Sequence, residues 1–468
     1  MGPRRRSDDE KILNRHQSMK IIRKTLLNAA ILSLLSAASA SALSEDLIQL
    51  YREARQKDPT LASAKAQWQA TQEKVPQAQA GLLPNVSVAG SAQYLIPDSR
   101  VDATIPGFTK ATQVNSNIAL NATVSASQPL YRRQNIVVLD QAKVQVSQSS
   151  WVLQSADQDL AVRLAQAYFD VLLAQDTLAF VGSQKAATAE SLAQAKRNFE
   201  VGTATITDTN EAQAKYDQIV ALEISTLNDI EIKRRAIEVI IGRNPPALKP
   251  LASKPVLETP SPDNMDAWSA RAEQSNLSIL IANASLDLAT LEVDRNRAAR
   301  EPVIDAIGSY GHAEALGISS AFANSSLRQW VVGVQLSMPL YTGGLIDSRV
   351  REALANQDKA RQDLEVARRA AAQAARTSYL NVSNGIAQVK ALEQAVVSAD
   401  VALQSSKLGM EVGVRTNVDV LNAQQQVFSA QRDLAQARYS VITNLLRLKA
   451  AAGTLTEADM EMINRTLG

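Results

Sequence analysis

The chain has 468 residues, 46% hydrophobic but only 4% aromatic, enough for a large core built from small aliphatic side chains, as in long and closely packed helices. Its formal net charge of +2 is spread along the chain, with no basic stripe interleaved with aromatics and no phosphate-cradling glycine loop, so a nucleic-acid partner is excluded. Cysteine is absent, which excludes a disulfide scaffold, an acylated N-terminal Cys and thiol chemistry.

Residues before Met19 read as an upstream start or an added extension. From Met19, "MKIIRKTLLNAAILSLLSAASASA" sets Lys20, Arg23 and Lys24 ahead of an apolar stretch and ends on Ala40-Ser41-Ala42. That is a secretory signal with an A-x-A cleavage site, so the mature chain begins near Leu43. The apolar run is well short of the roughly 20 residues a membrane span needs. Residues 1–42 are therefore set apart as extension and signal peptide.

The segment from Glu45 to about Ala80 has helical character. A strand over Val86–Tyr94 follows "LPNV", and after the polar loop "IPDSRVDATIPGFTKATQVN" comes strict alternation. Ile118, Leu120, Ala122, Val124 and Ala126 are apolar, while Asn117, Asn121, Thr123, Ser125 and Ser127 are polar, the period of a strand with one wet face. From Arg133 to Phe199 no proline interrupts a helical pattern whose seam, Leu160, Leu164, Ala167, Val171, Ala174, Leu178 and Val181, steps by four and three. Such a helix is roughly 100 Å long at about 1.5 Å per residue. At its far end stands "EVGTATITDTNEAQ", beginning at Glu200. Gly202 suits a left-handed helix stop, Thr205 suits an N-cap and Asp208 its first turn. A return helix runs to about Ile241.

The prolines of "GRNPPALKPLASKPVLETPSPDN", Gly242 to Asn264, fit neither a helix nor a central strand and read as an extended crossing linker. The same plan then repeats. A helix covers Asp266 to about Arg300, and strands cover Val303–Tyr310 and the alternation of Trp330, Val332, Val334, Leu336 and Met338. A helix from about Ile346 to Met410 carries Ala371, Ala375, Ser378, Val382 and Gly385 on its seam, and a return helix ends near Ala452. "SQPLY" returns as "SMPLY", "AYFDV" as "SYLNV", and the tip returns from Glu411 as "EVGVRTNVDVLNAQ", with Gly413, Thr416 and Asp419 in register. The expected organisation is a first repeat over 43–241, a linker over 242–265, a second repeat over 266–452 and a C-terminal segment over 453–468. The small seam residues suggest helices walled side by side, not wrapped round a thick core.

Four strands of this length can cross a bilayer, but a closed barrel needs at least eight. Unpaired edges are forbidden in lipid, so other copies of the chain must complete an inserted sheet. The rival reading is a soluble sheet on a periplasmic coiled-coil structural or adaptor protein. Capping alone accounts for Asp208 and Asp419. Enzyme chemistry has little to work with: His16 precedes the cleavage site, and His312-Ala-Glu314 is too short a pattern to name a metal site. No cofactor or metal is expected.

The signal peptide, the mature start "SEDLIQLYREARQKDPTL", the duplicated plan, "QLSMPLYTGG", "AVVSA" and "VGVRTNVDVL" resemble the TolC family of outer-membrane efflux proteins over essentially the whole mature chain. The resemblance implies a mainly α fold with a β-barrel part. Three chains would pool four strands each into a twelve-stranded barrel in the outer membrane of a Gram-negative bacterium, continued by an α-helical tunnel across the periplasm. It implies an exit duct for tripartite efflux pumps and type I secretion systems. Its partners would be two further copies of itself, a periplasmic adaptor (membrane fusion) protein and, through that adaptor, an inner-membrane pump.

The resemblance also assigns roles at the tips. Asp419 would stand at the pore constriction, where three symmetry-related carboxylates repel anions and raise one another's pKa. The second acidic position one turn on is Asn422, so that ring is neutral. Thr207, Asp208 and Arg415 match the polar links that hold the closed state, while the position of an aromatic hydroxyl partner is Met410. Val201-Gly202 and Val412-Gly413 match the surface that meets the adaptor.

Overall fold

The computed structural model describes residues 44–95, 117–252, 255–317 and 325–468. The signal segment 1–42, its cleavage site, the start at Leu43, His16 and the loop Ile96–Asn115 lie outside the described residues.

The N-terminal stretch is not one helix but three: α1 (Leu47–Lys57), α2 (Pro59–Gln72) and α3 (Lys74–Ala80). Pro59 lacks the N–H a continuing helix would use and pushes Asp58 into extended backbone (φ −62°, ψ 121°). Asp58 Oδ1 then accepts the Leu61 N–H at 2.7 Å and caps α2. In the second half the corresponding stretch breaks once, into α6 and α7, whose ranges are Met265–Ser275 and Leu277–Ala298. There Asn276 makes the break, its side chain accepting from Ser278 and Ile279 and donating to the Ala451 carbonyl at 2.8 Å.

The strands are β1 (Asn85–Leu95), β2 (Asn117–Tyr131), β3 (Val303–Gly317) and β4 (Ser325–Ser337). They form one antiparallel sheet in the order β1-β2-β3-β4, so the two predicted hairpin pairs join across the repeat through β2 and β3. One face is polar: Asn121, Thr123 and Ser125 stand opposite Ser91, Ala89 and Ser87, with the Ser87 and Ser125 hydroxyls 2.8 Å apart. The other face carries Val86, Val88, Val124, Trp330, Val332, Val334 and Leu336, all exposed, Val332 at 87%. No helix covers it. Arg132, between β2 and the helix that follows, grips Asp305 of β3 through two hydrogen bonds of 2.8 and 2.6 Å and fixes the sheet on its stalk.

The stalk is α4 (Arg133–Glu200, 68 residues) with its return α5 (Ile206–Ile241), and α8 (Leu345–Glu411, 67 residues) with its return α9 (Asn417–Ala451). At about 1.5 Å per residue the two long helices are about 100 Å each. The seam residues Leu160, Leu164, Ala167, Val171, Ala174 and Val181 are buried, as are Ala371, Ala375 and Val382, while Leu178 is half-buried. Small residues bring the helices close. A Cβ on Gly385 would meet Val441 Cγ2 at 2.7 Å.

A thicker core does exist, at a waist midway along the stalk. Leu47, Leu50 and Tyr51 of α1, Leu160, Leu164, Tyr168, Phe169 and Leu172 of α4, and Tyr439, Ile442 and Leu446 of α9 meet there. Met460 and Ile463 of the C-terminal helix α10 (Glu457–Asn464) complete it. The linker runs over this core, its Lys249 carbonyl accepting from Tyr168 at 2.7 Å, and Arg243 reaches Glu45 and Glu53 at 2.6 Å each. That pairing holds the Glu53 carboxyl down at about 2. The walled-helix expectation thus fits the stalk above and below the waist but not the waist itself, where Tyr51, Tyr168, Phe169 and Tyr439 gather.

Candidate functional site at the helix tips

Each long helix ends in the same way, because the same residue types recur in the same order. Val201 N–H donates to the Arg197 carbonyl at 3.2 Å, and Val412 N–H to the Leu408 carbonyl at 3.1 Å. Gly202 and Gly413 then take φ of 81° and 80°, a conformation in which a Cβ would clash with the neighbouring carbonyl. Next, two loop N–H groups fold back onto one helix carbonyl. Thr203 and Ala204 donate to Asn198 at 2.8 and 3.2 Å; Val414 and Arg415 donate to Gly409 at 2.9 and 3.1 Å.

The return helices start with reciprocal caps. Thr205 Oγ1 accepts from the Asp208 N–H at 3.2 Å, and Asp208 Oδ2 accepts from the Thr205 N–H at 2.9 Å and hydroxyl at 2.8 Å. Thr416 and Asp419 repeat this with 3.2, 2.9 and 2.9 Å. Asp419 Oδ1 remains for Arg415, whose Nη1 lies 3.9 Å away. The Thr416 amide and hydroxyl, with a smaller contribution from Arg415, hold the Asp419 carboxyl below the usual carboxylate range. Within one chain, its pKa thus moves opposite to the rise that repulsion among three carboxylates would give.

The two tips lie side by side. Leu192, Ala195 and Ala212 of the first hairpin bury Leu421 of the second, and Lys215 Nζ donates to Gln425 Oε1 at 3.0 Å. Val201 (73% exposed) and Val412 (66%) project into solvent beside their glycines. Thr207 and Asn422 are exposed and Met410 is half-buried. Within the chain the structure does not pair Arg415 with Asp208: Arg415 pairs with Asp419, and Asp208 is held by Thr205. Sequence reasoning missed Gly409, a buried glycine beneath Arg415, and the Lys215–Gln425 tie. Away from the tips, His312 Nε2 lies 3.0 Å from Glu314 Oε1 on β3. Among the described residues no group of three or more His, Asp or Glu is placed to hold a metal.

The sequence profile of the outer membrane efflux protein family matches residues 50–243 and 268–454, one repeat each. The chain belongs to the outer membrane efflux protein family. Among its relatives are the outer membrane protein TolC of Vibrio cholerae, 34% identical over 445 residues (95% of this chain, 99% of that one), and TolC of Escherichia coli, 32% identical over 452 residues (95% and 89%). The alkaline protease secretion protein AprF of Pseudomonas aeruginosa is 29% identical over 419 residues (89% and 86%). Among solved structures, the outer membrane protein VceC of Vibrio cholerae superposes with a TM-score of 0.72 at 19% identity, covering 87% of this chain and 96% of that one. This efflux protein therefore has the fold of outer-membrane channels, resides in the outer membrane and is not an enzyme.

Proposed function

We infer that three copies of this chain form a closed duct through which cargo leaves an inner-membrane pump and crosses the periplasm and outer membrane. The observation that carries this reading is the sheet. Among the described residues it has an uncovered apolar face, a polar face opposite, and two outer strands, β1 and β4, each paired on one side only. Strands of 11, 15, 15 and 13 residues meet or exceed the roughly 9–11 a tilted transmembrane strand requires. Lipid tolerates such a sheet only when its edges pair, which copies of the same chain can do by joining β4 of one to β1 of the next. The polar face then lines the lumen. Relatives named for protease secretion, such as AprF, and for toluene efflux, such as TtgC of Pseudomonas putida, support service to both type I secretion and tripartite efflux.

At the periplasmic end, symmetry would bring three Asp419 carboxylates round the axis as the constriction, with Asn422 forming a neutral ring one turn on. Arg415, Asp208 and Thr207 would link neighbouring tips in the closed state, with Met410 packing where an aromatic hydroxyl could have added a further link. The exposed Val201-Gly202 and Val412-Gly413 tips would meet the helical hairpin of a periplasmic adaptor, which couples the duct to its pump. The mature protein, extracted by detergent from outer membranes, is expected to run as a trimer and to give small, cation-favouring conductance in a planar bilayer. A monomer that neither partitions with the membrane nor conducts would overturn this reading.

A further inference from the structure

The two tips share their backbone but exchange side chains at two positions that touch. In the first tip the long helix offers Asn198 and the loop above it Ala204; in the second the helix offers Gly409 and the loop Arg415. Large beneath small has become nothing beneath large. A Cβ built on Gly409 would lie 2.6 Å from Arg415 Cγ and 3.3 Å from Arg415 Cβ. Those atoms belong to the root of the side chain, so they clear a new methyl only by changing the first rotamer, which redirects the whole guanidinium. Gly409 is buried and helical, and it is not among the glycines with positive φ. Its backbone therefore gives no reason for glycine, the weakest helix former after proline. The reason is space for Arg415.

We propose that Gly409 is a positioning residue of the gate: its missing side chain is the seat for the Arg415 stem, and that seat holds the guanidinium beside Asp419. This rests on the reading of Arg415 as a link in the closed state. The first tip has no such seat and no cation at the matching position, Ala204. The device was therefore built into one copy of the duplicated tip only.

The test uses the full-length trimer in planar bilayers, with a thermal melt of each variant beside the conductance. Gly409→Ala is expected to raise conductance to about the level of Arg415→Ala while its melting temperature stays level or rises, since alanine favours the helix. Loosening of the gate without loss of stability is what a merely structural glycine would not produce. In the double variant the two effects should not add, because both act through one side chain. Gly409→Ser, with a different small side chain in the same space, should behave as Gly409→Ala does. If Arg415→Ala opens the channel while both Gly409 variants conduct like wild type, the seat is overturned and the gate reading stands. If Gly409→Ala opens the channel as strongly in the Arg415→Ala background as alone, the seat is likewise overturned. If Arg415→Ala itself conducts like wild type, the gate reading falls and takes the seat with it.

Discussion

The first and second tips have one backbone and two chemistries. Both stop a helix of nearly seventy residues with a left-handed glycine and restart it with a Thr-Asp cap, and their hydrogen bonds agree within a few tenths of an ångström. Above that common frame, the first tip offers Phe199 and Ala204, the second Met410 and Arg415. The frame answers to the geometry of turning a chain round, which both halves must satisfy. The decoration is not needed for the turn, and of the two tips only the second carries a cation–carboxylate pair, Arg415 with Asp419. A repeated motif is therefore a poor guide to function where its copies agree and a good one where they differ.

Replacing Gly202 or Gly413 by alanine should cost about 1–2 kcal/mol of local stability at either tip, the strain of an L residue at positive φ. Hydrogen exchange of the loop amides would show it, and unequal losses would mean the frames are not equivalent. Thr205→Ala and Thr416→Ala should each cost about 1 kcal/mol as lost caps, read in the same way. Thr416→Ala also removes the hydroxyl hydrogen bond to Asp419, the lesser of the two from Thr416 that depress its pKa, while the bond from the backbone amide stays. Asp419→Asn should weaken cation preference in reversal-potential measurements, with Asp208→Asn having the smaller effect.

The pH dependence of that preference gauges the assembled ring. A carboxyl depressed by its cap stays charged as pH falls through the ordinary carboxylate value, so cation preference would persist below it. If repulsion among three Asp419 groups wins, preference would fade at higher pH and in steps. The smallest effect belongs to Met410→Phe, which makes the second tip resemble the first without touching a cap. It should leave conductance nearly unchanged, and a large change would mean that this position distinguishes the tips more than Arg415 does.

Much of this was legible in the residues. Alternation at Ile118–Ala126 marks β2, and the glycines and threonines of the tips mark where the long helices stop and restart, because those signals are local. The break at Asp58 is also written locally, as a capping Asp before Pro59, although the helical pattern continues on both sides of it. The break at Asn276 carries no proline and depends on docking against the Ala451 carbonyl from the end of α9, which periodicity cannot show. The joining of β2 to β3 was hidden for the same reason, since strand order is not a property of any one strand. Gly409 was missed because its cause sits six residues on, in Arg415. Aligning the two tips column by column, and asking where they exchange volume, would have found it.

The waist has a consequence for how the molecule is made. Asn464 donates to Asp46 across 418 residues of sequence at 3.0 Å, and Met460 shares a core with Leu47 and Leu50. Contacts of such separation are slow to form, because the entropy of a very large loop must be lost before they stabilise anything. As the chain is made from one end, its first helix can meet Leu160 and Tyr168 of α4 early, but the core they share stays open until α9 and α10 follow. The waist is thus expected to be the last part of the stalk to set, since its core is complete only when the C-terminal end has arrived.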